Sequence, residues 1–132
     1  MKCKNLMLTC CLVFMLSCCA VDNPGGSADF YIENKTGALI RVEVYGNYSR
    51  ALHGDGLFIS PGEKVKFYYD VLFDKNPMPG DCLEKMVVYD AARDVILLER
   101  EPVVNNEWHE AGVEDDSRFY HAQFTFIYTG GM

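Results

Sequence analysis

Lys64-Val65-Lys66-Phe67-Tyr68-Tyr69-Asp70-Val71 is the stretch that decides the fold. Val65, Phe67, Tyr69 and Val71 alternate with Lys64, Lys66, Tyr68 and Asp70. A period of two puts one set of side chains on each face of a strand. A strand with one apolar face needs a second layer to cover it. The same period recurs on both sides. Upstream, Ile40, Val42 and Val44 alternate with Arg41, Glu43 and Tyr45, while Phe30 and Ile32 open a short strand that runs into the turn Asn34-Lys35-Thr36-Gly37. These two strands predict a hairpin. Leu57-Phe58-Ile59 reads as a brief strand ended by the turn Ser60-Pro61-Gly62-Glu63. Residues 46–56 and 74–81, rich in Gly, Pro, Asn and Asp, read as loops.

Downstream, residues 85–89 and 95–98 are β-rich runs around the loop 90–94, a spacing that suits a hairpin. Residues 102–116 are polar, acidic and read mostly as loop, although they hold the only tryptophan, Trp108. The last strand is long, with Tyr120, Ala122, Phe124, Phe126 and Tyr128 on one face and His121, Gln123 and Thr125 on the other. No stretch keeps a helical period between caps. About seven strands at this spacing predict an all-β chain: a single two-sheet β-sandwich, Ig-like or transthyretin-like, with a partly open barrel as the alternative.

The other informative stretch is the start of the chain. Lys2 and Lys4 precede an apolar run from Leu6 to Leu16, followed by Ser17, Cys18, Cys19 and the turn-rich Asp22-Asn23-Pro24-Gly25-Gly26. A basic start, a short apolar middle and a small residue before a break mark an export signal. The run is about eleven residues against the roughly twenty that span a bilayer, so it is read as a signal and not a membrane helix. Met15-Leu16-Ser17-Cys18 resembles the lipobox of bacterial lipoproteins: an aliphatic residue, a variable one, a small one, then cysteine. The resemblance implies cleavage before Cys18 and acyl chains on its thiol and new amino group. Two or more chains anchor a protein stably, each buried methylene adding about 0.8 kcal/mol. The expected organisation is a cleaved signal over 1–17, a lipidated Cys18 and tether over 18–27, and a β-sandwich domain over 28–132. The expected location is the cell envelope, at the outer membrane, with the face left open. The mature part resembles small all-β lipoproteins of unknown function from Bacteroides-type bacteria. The turn at Ile59-Ser60-Pro61-Gly62-Glu63, the run Val88-Tyr89-Asp90 and the aromatic last strand carry that resemblance, and it implies no functional residues.

Charge narrows the partners. The formal charge of −7 becomes −9 once Lys2 and Lys4 leave with the signal, because no acid leaves with them. Such a domain repels phosphate backbones, so nucleic acid is excluded and membrane contact is expected through the acyl chains on Cys18. Cys3, Cys10, Cys11 and Cys18 belong to the signal or the anchor, leaving Cys19 and Cys82. The envelope permits a disulfide between them, but a free or buried Cys82 is the expectation.

Chemistry is sparse. His53-Gly54-Asp55-Gly56 offers an imidazole and a carboxylate, short of the three or four ligands a metal needs. His109-Glu110 lacks the second histidine of a zinc-protease helix, and His121 reads as an outward strand residue. No nucleophilic triad can be argued from sequence order, since geometry defines a triad. Glu114-Asp115-Asp116, and the set Asp70, Asp74, Asn76 and Asp81, offer oxygens that suit calcium, but the spacing of the second set does not match an EF-hand loop. A run of charge before a strand reads rather as a solvated face that deters edge pairing. No catalytic residue, metal or cofactor is assigned. Asn34-Lys35-Thr36 and Asn47-Tyr48-Ser49 match the glycosylation triplet and are read as chance. Tyr45, Tyr48, Tyr68, Tyr89 and Trp108 fall in loops or opposite apolar stripes, where aromatic rings suit sugars or protein interfaces. Trp108, Tyr48 and Tyr68 are taken as candidate ligand contacts, although Trp108 would equally plug the core. The expected function is a non-catalytic binding or accessory module for a glycan or protein. The alternative is an assembly component that pairs through strand edges with another envelope protein, and the third a small envelope enzyme.

Overall fold

The computed structural model describes residues 25–116 and 119–130. The lipobox Met15–Cys18 and Cys19 lie outside these residues. Nine strands build two sheets. They are β1 (Gly26–Asn34), β2 (Ile40–Gly46), β3 (Arg50–Ala51), β4 (Leu57–Ile59), β5 (Lys64–Leu72), β6 (Leu83–Asp90), β7 (Val95–Arg100), β8 (Trp108–Asp116) and β9 (Phe119–Tyr128). A four-residue helix, α1 (Pro79–Cys82), leads into β6. One sheet runs β5-β1-β9-β8; the other runs β3-β2-β6-β7, with β4 beside β3 on the same edge of β2. The sheets stack face to face as a β-sandwich and do not close into a barrel.

The core is what the alternation supplies. Ala28, Phe30 and Ile32 of β1 and Ala122, Phe124 and Phe126 of β9 are at most 1% exposed. They face Ile40, Val42 and Val44 of β2 and Met86 and Val88 of β6, all at most 2% exposed. Phe30 is the hub: its ring lies 5.7 Å from Phe124, 6.0 Å from Tyr68 and 6.1 Å from Trp108, the last edge-on. The parallel pairing of β1 with β9 is unbroken from Gly26–Tyr120 to Asn34–Tyr128, so the alternation read for the last strand survives intact.

In β5 it does not. Its register against β1 slips by one residue: Ile32 pairs with Val65 and Tyr31 with Lys66, but Phe30 pairs with Tyr68 and Asp29 with Tyr69. Phe67 is the extra residue of a bulge, and a single extra residue exchanges the faces of everything beyond it. Tyr69 is therefore 51% exposed and Tyr68 turns inward to stack on Phe30. Three further expectations are corrected. β1 and β2 do not form a hairpin; they belong to opposite sheets, and residues 35–39 cross between them. Residues 108–116, expected as loop, form the edge strand β8, because pairing with β9 places Trp108 opposite Phe126 and overrides the low strand propensity of the acids. The domain also starts earlier than residue 28. Gly25 and Gly26 are buried, and a Cβ on Gly25 would stand 2.0 Å from the Leu72 carbonyl oxygen, one on Gly26 2.5 Å from that of Tyr120. These glycines permit close backbone approach where β1 enters the sheet.

The crossing between sheets is fixed by one side chain. Asn34 is fully buried, and its Nδ2 donates to the carbonyls of Ala38 (2.8 Å) and Ile59 (3.0 Å). Its Oδ1 accepts from the Thr36 amide (3.0 Å) and hydroxyl (2.6 Å). An amide has two donor hydrogens and two acceptor lone pairs, and here all four are used. The same nitrogen would carry a glycan in the triplet Asn34-Lys35-Thr36, so burial removes that possibility.

Candidate binding surface

The outer face of the five-stranded sheet holds a connected cluster of polar side chains. Inward Val42 and Val44 on β2 leave Arg41, Glu43 and Tyr45 pointing out; inward Met86 and Val88 on β6 do the same for Lys85, Val87 and Tyr89. Register then aligns Phe58 of β4, Arg41, Tyr89 and Ile96 of β7 in one row across four strands. The Arg41 guanidinium lies 4.0 Å from the centre of the Tyr89 ring, a cation–π distance. It donates to Glu43 Oε1 and to Asp94 Oδ1, each at 2.6 Å. Glu43 Oε2 accepts from the Tyr45 hydroxyl (2.9 Å) and the Tyr89 hydroxyl (3.2 Å). Lys85 reaches Glu99 at 3.3 Å and Glu101 at 3.6 Å. Val87, beneath this layer, is 3% exposed although it stands outside the core.

Charge and protonation follow from these bonds. Burial opposes ionisation of Glu43, but the hydrogen bonds from Arg41, Tyr45 and Tyr89 outweigh it and hold the carboxyl below its ordinary range. The bond to Glu43, helped by burial, pushes Tyr45 up; burial, then the Glu43 charge, pushes Tyr89 up. At neutral pH the carboxylate is ionised and both phenols are protonated, the states in which each phenol donates to Glu43. Phe58 and Ile96 stay 59% and 52% exposed at the ends of the row. The result is a flat patch of Tyr, Arg, Phe and Ile with fixed polar groups, the composition of a protein interface centre.

The three sequence-predicted aromatics part company. Trp108 is a core residue, 7% exposed, its ring 5.4 Å from Phe126 and 6.1 Å from Phe67 as well as from Phe30. It is not offered to a ligand. Tyr68 is half-buried on the inner side through the β5 bulge. Tyr48 alone is displayed, at 97% exposure, in a 3-10 turn (Asn47–Ser49).

The structure also gathers residues that sequence order could not connect. Ser27 and His121 are paired neighbours on the parallel strands β1 and β9, with Ser27 Oγ 2.6 Å from His121 Nδ1. His121 Nε2 lies 3.2 Å from Asp29 Oδ2, and Asp29 Oδ1 meets Lys66 Nζ at 2.8 Å. A Ser-His-Asp set invites comparison with a hydrolytic triad. Ser27, however, is 4% exposed on an interior strand, where strand amides lie in the sheet plane and not toward a substrate above it. The set ties β1 to both its neighbours. His53 spends Nε2 on the Phe67 carbonyl, while His109 is exposed. Among the described residues no three His, Cys, Asp or Glu side chains converge as metal ligands. Cys82 is buried and free; burial, with Asp70 beside it, pushes its thiol far up, so it stays protonated and inert. No protein-family model and no curated protein matches the chain.

Proposed function

We propose that this chain is a lipid-anchored binding module of the bacterial cell envelope, held to the outer membrane by acyl chains on Cys18. Its partner is taken on the outer face of the five-stranded sheet, without catalysis. One observation carries this reading: the row Phe58–Arg41–Tyr89–Ile96, ordered by a carboxylate that accepts from two tyrosines and an arginine. Pre-ordered side chains lose little entropy on binding, and Tyr and Arg dominate interface energetics. A protein surface fits better than a sugar ring, because the guanidinium already covers one face of Tyr89.

Assembly through strand edges is the weaker reading, for a physical reason. Edge strands β5, β7 and β8 each carry a bulge, at Phe67, Leu97 and Val113 respectively. Bulges on edges deter pairing with further strands.

Photo-crosslinking in intact cells tests the reading. A photoreactive residue at position 58 or 96 is expected to trap a discrete partner, and one at Lys35, beyond the patch, is expected not to. Ile96→Asp should abolish the adduct formed from position 58 while leaving the unfolding midpoint close to that of the parent, because Ile96 is 52% exposed. Equal adducts from all three positions would sink the proposal, as would none from 58 and 96 while the protein remains membrane-bound.

A further inference from the structure

We propose that the end of the sandwich where Gly25 stands docks on the membrane, with Tyr48 and Phe73 entering the headgroup layer of the bilayer that carries the anchor. This rests on the lipoprotein reading above. Tyr48 and Phe73 are the two most exposed large apolar side chains among the described residues, at 97% and 80%. They come from opposite sheets and stand at the same end of the sandwich. Phe73 follows Leu72, the partner of Gly26, and its Cα would lie 2.7 Å from a Cβ on Gly25. Tyr48 follows Gly46, which ends β2 opposite Leu83 and Arg50. The sheets approach each other here: Arg50 acts on the Tyr68 phenol, and Asp70 on the Cys82 thiol.

Tyr48 is held in place although it packs on nothing. It and Ser49 both take positive φ, 63° and 57°, a region that L-residues avoid. Glu84, the extra residue of a bulge in β6, fixes the turn: its carboxylate accepts from the Tyr48 amide (2.8 Å) and the Ser49 amide (2.9 Å). Such backbone states persist where function uses them.

Chain length identifies the occupant. Six residues lie between Cys18 and Gly25, seven Cα steps with a reach of at most about 25 Å. Strand β1 alone is about 30 Å long, so this end stays within reach of the bilayer while the Asn34 end stands beyond it. Tethering converts weak insertion of two rings into an intramolecular event, and aromatic rings favour the headgroup layer. Arg50 and Lys75 stand here against Asp74, Asp81 and Glu84, and register brings Asp115, paired with Tyr120, to the same end. Acids outnumber bases, so the fit is to a zwitterionic surface and not an anionic one.

The test uses the full chain, lipidated in a bacterial host and reconstituted into phosphatidylcholine vesicles with brominated acyl chains. The emission that Phe73→Trp and Tyr48→Trp add over wild type, whose Trp108 is buried, should lose about half its intensity or more, whereas the Trp108 emission and that added by Lys35→Trp should stay unquenched. Vesicle flotation is read on the same samples. Wild-type protein that fails to float, or a Cys18→Ala variant that floats equally, refutes the anchor and the docking with it. Protein that floats without quenching at either position overturns the docking alone.

Discussion

The two ends of the sandwich solve one problem, how to finish strands without leaving backbone groups bare, in opposite ways. At the Asn34 end a neutral amide is drawn fully inside and spends every hydrogen-bonding site on the crossing between sheets. At the Tyr48 end a carboxylate on the surface clamps a turn from outside, and the residue it clamps is 97% exposed. The first arrangement serves folding, since burying Asn34 allows the chain to change sheets. The second spends backbone strain on display. An end built only for stability would place glycine where Tyr48 and Ser49 stand.

The largest effect tests the folding end. Asn34→Ala leaves the buried Ile59 carbonyl without its donor, takes the acceptor from the Thr36 amide, and leaves the Ala38 carbonyl only its bond from the Thr36 hydroxyl. A buried polar group left unsatisfied costs about 1–3 kcal/mol, and the other lost bonds and the emptied space add to it. A loss of about 3–4 kcal/mol is expected by urea unfolding. Asn34→Asp should be about as damaging, because a carboxylate presents acceptors where two carbonyls need donors. A loss below about 1 kcal/mol for both variants would erase the contrast between the ends.

How much of this the sequence discloses depends on whether a feature is local. The β9 alternation is local, and its Ala122, Phe124 and Phe126 fall in the core as the period of two requires. The β5 alternation is equally clean, yet the bulge at Phe67 exchanges the faces of Tyr68 and Tyr69. Nothing in residues 64–71 marks that slip, because it arises from pairing with β1. Gly25 and Gly26 carry the composition of a tether, and only the nearness of Leu72 and Tyr120 makes them part of the sheet. Ser27 and His121 stand 94 residues apart and meet through a parallel pairing of the first and last strands. Among the site residues, Arg41, Glu43 and Tyr45 were legible as the polar face of one strand. Their alignment with Phe58 and Ile96 needed the register of three further strands.

A middle-sized effect probes the display end. Glu84→Ala removes three charge-assisted hydrogen bonds to a surface turn, from the Tyr48 and Ser49 amides and the Ser49 hydroxyl, where solvent replaces part of what is lost. A loss of about 1 kcal/mol is expected. Amide exchange should accelerate at Tyr48 and Ser49 and leave the amides of β1 and β9 unchanged. Destabilisation as large as that of Asn34→Ala would mean the turn supports the whole fold and the ends are alike after all.

The smallest effect is the most discriminating, because its sign is at stake. Tyr48→Gly removes a ring that contributes no burial and relieves a left-handed conformation that costs an L-residue about 1–2 kcal/mol. Against this, glycine gives the unfolded chain more freedom, worth about 0.5–1 kcal/mol. The difference predicts a gain in stability of about 0–1.5 kcal/mol, read as a higher urea midpoint at unchanged slope. The same variant should weaken docking of the lipidated protein on phosphatidylcholine vesicles. A residue whose removal stabilises the fold while weakening attachment is held in its strained conformation for the surface it touches. If Tyr48→Gly instead destabilised the protein by more than about 1 kcal/mol, the tyrosine would belong to the folding economy of its end, as Asn34 does to the other.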